Sequence, residues 1–423
     1  MSSLLARACG ACILVSWAFT CLGADKSVLT LREALALTAE RNPELAAFQP
    51  QLEAARQQSA AQSLRPANAI ELQLENFAGS GDLSGTRALE TTLQLSHVIE
   101  LGRKADARHE LGDMEVTHLG AAQQARQADL FAEVARRFVH VLADQEQLAA
   151  AQRATALARE SGAAARLRVE AGAASSAQAS RAGIALARAR IVEEHAEHEL
   201  ASSRVALSVL WSEPTPVFGE ARGALFALGA PEPFETYAAR LDSNPELLTF
   251  ASSERVTDAR LRLAESQQRA NLTLNIGVRR LEAFDDAALV AGIVMPIGSS
   301  RRMQSEMQAV RAERSALEFT RASRRLELHS TLFGLYQEML HARAEAQALQ
   351  DQIRPQAQVM LRTTQEGYRA GRFSFLELAD AQQQLLEIEQ DAIRAAAEFH
   401  QQLIEIERMT GQPIGIAAQG EPR

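Results

Sequence analysis

The chain is poor in the residues that usually anchor chemistry. Its three cysteines, Cys9, Cys12 and Cys21, all fall near the N-terminus. That leaves no disulfide framework, thiolate metal site or cysteine nucleophile in the body of the protein. There is no P-loop, no dinucleotide-binding glycine fingerprint, no nucleophile elbow and no His-Glu-x-x-His pair. Neither an enzymatic site nor a cofactor is expected. Aromatic residues make up only 5% of the chain. A basic surplus is also missing: 44 Lys+Arg face 53 Asp+Glu, for a formal net charge of -9. Phosphate backbones need a basic face, so nucleic acid is not an expected partner. Beyond the N-terminus no apolar run approaches the roughly 20 residues of a membrane-spanning helix.

What is present is alanine and helical patterning. Hydrophobic residues make up 47% of the chain, and much of this is alanine, in runs such as Ala149 to Ala151 and Ala163 to Ala165. Alanine is the best helix former, and its small side chain lets helices pack closely. At the N-terminus, Arg7 precedes an apolar run from Ala11 to Phe19 and then small residues to Ala24. This reads as a secretory signal peptide over 1–24. The competing reading, a membrane anchor, needs a longer run. Cys21 is a candidate for lipidation, against ordinary cleavage near Gly23 or Ala24.

The sequence repeats itself. Leu31-Arg32-Glu33-Ala34-Leu35 leads to Asn42-Pro43-Glu44-Leu45, and Tyr237-Ala238-Ala239-Arg240-Leu241 leads to Asn244-Pro245-Glu246-Leu247. Val169-Glu170-Ala171-Gly172 is echoed by Tyr368-Arg369-Ala370-Gly371. Both pairs are offset by about 200 residues, the mark of two structural copies. The reading is a first repeat over 25–211, a Pro/Gly-richer linker over 212–233, a second repeat over 234–411 and a disordered tail over 412–423.

Each copy orders its elements alike. A short helix (Leu31 to Arg41; Pro233 to Leu241) precedes a second one opened by Pro43 or Pro245, where a missing N–H is harmless. This second helix runs to about Leu64 or Arg269. The period then changes. Ile70 to Glu75, Leu89 to Ser96 and Leu272 to Val278 alternate apolar with polar residues, and Leu289 to Met295 is more apolar. These are four strands, each with one apolar face, joined in hairpins (about 68–99 and 271–297) by Gly79-Ser80-Gly81-Asp82 and Phe284-Asp285-Asp286. Very long helices follow, Leu101 to Arg168 and Arg301 to Tyr368, each about 100 Å at 1.5 Å per residue. Gly172 and Gly371 turn the chain at the tips, and helices return over Ser176 to Trp211 and Ser374 to Met409. The fold class is mainly α with a small β part. Four strands cannot close a barrel alone, and open edges are not tolerated in lipid. Three chains would give a 12-stranded outer-membrane barrel, continued by the helical hairpins as a tube. A soluble periplasmic coiled-coil protein with incidental hairpins is the reading from a different class.

These features, together with the tip from Gly367-Tyr368-Arg369-Ala370-Gly371 to Leu378-Ala379-Asp380-Ala381-Gln382, resemble the TolC family of outer-membrane efflux proteins over essentially the whole mature chain. Leu93 to Lys104 is similar to the strand-to-helix junction of the cation-efflux branch, the CzcC-like and CusC-like proteins. That branch usually has proline where His97 or Val98 stands and a second glycine near Arg103. The resemblance implies a passive, homotrimeric duct in outer-membrane lipid. It would dock a periplasmic adaptor and an inner-membrane pump of the resistance-nodulation-division type. Heavy-metal cations are the expected cargo, with a multidrug or type I secretion duct as the alternative.

The tips carry the candidate residues. Glu377 and Asp380 are three apart and share a helix face. They match the family's aperture acids, which in a trimer would form carboxylate rings that select cations and raise at least one pKa. The plainer reading is two acids complementing a helix dipole. Tyr368 matches the gating tyrosine, and its usual carboxylate partner aligns with Gln178. Gly172 and Gly371 are expected to be left-handed. Phe373, Phe375 and Leu376 are read either as adaptor contacts or as local core. His195 and His198 have a ligand-like spacing, but lie among Glu193, Glu194, Glu197 and Glu199 on what reads as a solvated face. No metal site is expected.

Overall fold

The computed structural model describes residues 28–414. The signal peptide over 1–24, Cys21 and residues 415–423 lie outside the described residues.

The first repeat opens with β1 (Val28–Thr30) and α1 (Leu31–Arg41). A capping box makes the switch: Thr30 Oγ1 accepts the Glu33 N–H at 3.3 Å, and Glu33 Oε2 accepts the Thr30 N–H at 2.8 Å. Asn42 and Pro43 start α2 (Pro43–Ala46), and α3 (Phe48–Ser63) follows. A hairpin, β2 (Ala69–Glu75) and β3 (Glu90–Ile99), leads into α4 (Lys104–Glu170), which has 67 residues. The returning α5 (Ser176–Ser208) ends in a 3-10 turn to Trp211. The connecting segment contributes β4 (Glu220–Arg222), parallel to β1. The second repeat runs α6 (Phe234–Ala239), α7 (Pro245–Gln267), β5 (Leu272–Leu281), β6 (Asp286–Val294), α8 (Ser299–Ala348), α9 (Arg354–Arg369) and α10 (Phe375–Met409).

The long helices organise the packing. α4 carries α3 and α5 end to end along one side and α7 and α10 along the other; α7 and α10 pack in turn on α8 and α9. Each end-to-end junction is stitched by one asparagine. Asn42 Oδ1 accepts the N–H of Glu44 and Leu45, while its Nδ2 donates to the Leu210 carbonyl at 2.7 Å. Asn244 does the same with Glu246, Leu247 and the Met409 carbonyl, the last at 2.8 Å. The strands form one antiparallel sheet in the order β2-β3-β5-β6. It joins the tube through a tight turn in which Gly102 and Arg103 both have positive φ, 90° and 58°. Arg103 thus holds its backbone in the left-handed region that glycine adopts most easily.

Four features depart from the sequence reading. β1 and β4 pair, and Phe218, Ala221 and Leu225 bury themselves in the main core, so 212–233 is more than a linker. The helix from Pro43 breaks at Ala47. The second long helix carries a π turn over Leu349–Ile353, between α8 and α9. Pro355 follows it; proline has no N–H for the α ladder, and a widened turn absorbs the lost bond. The residues just past Gly411 are packed: the Gln412 N–H donates to the Glu407 carbonyl at 2.9 Å, and Ile414 packs against the main core.

Candidate functional site: the helical tips and the two-faced sheet

Both tips are closed by the same backbone device. The Ala173 and Arg372 N–H groups reach back to the carbonyls of Arg168 and Gly367, each at 2.8 Å, and Gly172 and Gly371 have φ of 69° and 75°. This is the Schellman ending, which needs a left-handed residue. Gly367 has a second constraint, since a Cβ there would collide with the Phe373 ring.

The structure brings the two tips together around Tyr368, which is 1% exposed. Its hydroxyl accepts from Gln178 Nε2 at 2.8 Å. The Arg168 guanidinium lies 5.0 Å from its ring centroid and also donates to its carbonyl. Phe375 meets the ring edge-on at 6.0 Å. Arg369 pairs with Glu160, and Gln382 Nε2 donates to Ser161 Oγ at 2.7 Å. Every one of these links joins the first repeat to the second, except the Phe375 contact. Arg168 was not among the residues singled out from the sequence; its partner is too distant along the chain for any spacing rule to suggest it.

Glu377 and Asp380 are both exposed on α10. Glu377 closes a capping box, accepting the Ser374 N–H at 2.7 Å and its hydroxyl at 2.8 Å. These two bonds hold its carboxyl below the usual glutamate range. Within one chain the shift at Glu377 is downward, because hydrogen bonds to the charged form favour it. Ser374-x-x-Glu377 was a legible capping signal. Asp380 accepts from Gln384 Nε2 at 2.9 Å. Of the candidate adaptor contacts, Phe375 is 5% exposed and belongs to the tip core, Phe373 is 37% exposed, and Leu376 stands out at 65%.

The sheet has two chemically distinct faces. Register places Ile70, Leu95, Ile276 and Ala291 in one row, and Leu72, Leu93, Val278 and Leu289 in the next. All of the large side chains in these rows are exposed. The opposite face is polar and cross-linked: Gln94 donates to Glu71 at 2.7 Å, Ser96 to Asn275 at 2.5 Å, and Arg279 to Glu90 at 2.8 Å and Thr92 at 3.0 Å. β2 and β6 have no further strand partner among the described residues. No helix among the described residues is long and apolar enough to cross a membrane.

His195 lies 3.9 Å from Glu199 on an exposed face. No group of three His, Cys, Asp or Glu side chains is arranged to hold a metal ion among the described residues.

A duplicated helical hairpin of this length, rooted in a sheet with one lipid-compatible face, defines an outer-membrane duct protein. The chain belongs to the outer membrane efflux protein family, whose model matches residues 34–213 and 237–412. It is accordingly a non-enzymatic duct component of the outer membrane, with its helical tube in the periplasm. It is 26% identical, over 384 residues, to the cobalt-zinc-cadmium resistance protein CzcC of Cupriavidus metallidurans, covering 91% of this chain and 90% of that protein. A membrane protein from Pseudomonas aeruginosa has the same fold, with a TM-score of 0.74 and 17% identity over 92% of both chains. CusC matches with a TM-score of 0.74 and 15% identity, over 90% of this chain and 92% of its own.

Proposed function

We propose that three copies close into a 12-stranded barrel and a continuous tube, forming the exit duct of a tripartite efflux system for heavy-metal cations. One observation carries the assembly: a four-stranded sheet with an exposed apolar face and two open edges. Lipid accepts the face but not the edges. β2 of one copy beside β6 of the next continues the antiparallel alternation around the barrel. The polar sheet face then lines the lumen.

The duct is passive. An inner-membrane pump of the resistance-nodulation-division type would drive it through a periplasmic adaptor, with Leu376 and the exposed edge of Phe373 as apolar contacts at the tip. Glu377 and Asp380 would ring the periplasmic aperture, where fixed carboxylates favour cations. Tyr368 and Gln178 would hold the resting tips together, and Gly172 and Gly371 would shape them. Metal cargo is supported by the similarity to CzcC. The experiment is survival of a deletion strain across panels of divalent metal salts and of drugs and detergents. Sensitivity confined to metals and restored by the gene supports the reading; sensitivity confined to drugs replaces the cargo and keeps the duct.

A further inference from the structure

The sheet lacks the usual anchors of a membrane barrel. Trp and Tyr ordinarily form belts at the two membrane–water interfaces and fix the depth of the protein. Neither the strands β2, β3, β5 and β6 nor their hairpin loops contain either residue. At the hairpin end two phenylalanines stand in their place, Phe77 and Phe284, 52% and 74% exposed. The helical end of the sheet has no such aromatic residue, and carries charge instead.

Every junction between a strand and a helix there holds a basic residue: Arg65 before β2, Arg103 and Lys104 after β3, Arg269 before β5, and Arg301 and Arg302 after β6. All the arginines among them are exposed, and Lys104 donates to Asn271 at 2.5 Å. The junctions adjoin one another. Arg108 ties the first two, donating to the Leu64 carbonyl at 2.9 Å and to Glu100 at 2.8 Å. A Cβ on Gly102 would stand 3.3 Å from the Arg269 side chain. Glu100 is the one acid in 64–68, 100–104, 268–271 and 295–302, and Arg108 neutralises it. Arg65, Arg269, Arg301 and Arg302 have no ion pair among the described residues. Arg301 and Arg302 lie in the first turn of α8, where the helix dipole disfavours cations, so helix stability does not account for them. Beside these charges stand Leu64, Leu101, Met295 and Ile297, all exposed, Ile297 at 90%. The hairpin end has the opposite balance: Asp82, Glu282, Asp285 and Asp286 outnumber Arg87 and Arg280, and Arg280 is paired with Asp285 and Glu282.

We propose that this collar is a docking surface for anionic phospholipid headgroups of the periplasmic leaflet. Charge complementarity names the occupant. Unpaired guanidiniums match phosphates, which they grip with paired N–H donors. Exposed apolar residues beside them match hydrocarbon, and a phospholipid supplies both. Arginine suits this level because its stem can lie in lipid while its charge stays at the headgroups. The surplus of cations favours headgroups of net negative charge over zwitterionic ones. The collar thus sets the depth of the sheet, the part that Trp and Tyr play in other barrels. This rests on the apolar sheet face meeting lipid, as proposed above.

The test reconstitutes the purified protein in vesicles of equimolar phosphatidylcholine and phosphatidylglycerol, extracts it gently in detergent and counts the headgroups it retains. Phosphatidylglycerol should be enriched at least about fivefold, the effect of one basic residue near an anionic surface. The enrichment should collapse as salt rises from about 0.1 to 1 M. The combined variant Arg65→Gln, Arg269→Gln, Arg301→Gln and Arg302→Gln should retain the two lipids equally, and the corresponding Arg→Lys variant should keep most of the enrichment. Arg181→Gln with Arg188→Gln and Arg190→Gln, on the exposed side of α5, should leave it unchanged. Equal retention by the unsubstituted protein would overturn the proposal, and so would an enrichment indifferent either to salt or to the four collar substitutions. Reversal potentials moved by those substitutions, with lipid retention unmoved, would place the charges in the lumen and overturn it too. A protein that enters vesicles of neither lipid would overturn the lipid-facing sheet itself.

Discussion

Gln178 and Tyr368 meet across the two repeats: the amide nitrogen of the one donates to the hydroxyl of the other at 2.8 Å, over a ring that is otherwise buried. Tyr368→Phe removes this bond without leaving a cavity. The expected loss is about 1 kcal/mol of tip closure. In planar bilayers it should appear as a larger open fraction, with the trimer unchanged. Gln178→Ala should have a similar effect, and the double variant should lose little more than either single change, because both remove one interaction.

Gln178 and Glu377 occupy equivalent places, each three residues after a serine that begins a returning helix. Ser374 and Glu377 cap their own helix, whereas Ser175 makes no side-chain cap, and Gln178 is spent on Tyr368. Glu377 therefore has two separable roles. Glu377→Gln removes the charge and keeps an acceptor for Ser374; Glu377→Ala removes both. Reversal potentials in a salt gradient should show cation preference reduced in both variants. Hydrogen exchange over the first turn of α10 should quicken only in the alanine variant. Unchanged selectivity in both would remove Glu377 from the aperture.

Asn244 and Asn42 each combine a cap with a stitch between stacked helices. Asn244 is 2% exposed, so Asn244→Ala strands the Met409 carbonyl as well as uncapping α7. The expected loss is about 2–3 kcal/mol, from a cap plus one buried unmade bond. Asn42→Ala, at a more open junction, should cost less. Heat-induced loss of helical signal in detergent measures both.

His400 is buried against the connecting segment, with Nε2 2.9 Å from the Leu225 carbonyl and Nδ1 without a partner among the described residues. Burial pushes its pKa down. Glu232, Tyr237 and Glu407 line the same cavity. The unfolded chain takes up a proton near pH 6.5 that the folded chain refuses, so this contribution is full above about pH 6.5 and falls as the pH drops below it. His400→Gln should flatten the dependence of melting temperature on pH between about 5 and 6.5. An unchanged slope would show that another group is responsible.

How legible was this in the sequence? The boundaries of α1 were written in its ends, Thr30-x-x-Glu33 at the start and Asn42-Pro43 at the close. Three of the four strands were legible because one face of each is apolar and period-two alternation reports that directly; the fourth, β6, showed only as an apolar run. β1 and β4 were not, since three residues cannot display a period. The π turn was marked only by Pro355, which signals a disturbed ladder without saying how the helix absorbs it. Phe375 and Leu376 are adjacent and both apolar; which one is buried depends on how the tip turn folds α10 back onto Tyr368. Arg168 was invisible because its partner Tyr368 lies 200 residues further along the chain.

The most direct measurement is conductance and ion selectivity of the purified protein in a planar bilayer, alongside its mass in detergent. A stable, cation-preferring conductance carried by a heat-resistant trimer is the predicted result. A monomer that inserts without conducting, or a trimer that prefers anions, would contradict the duct proposed here.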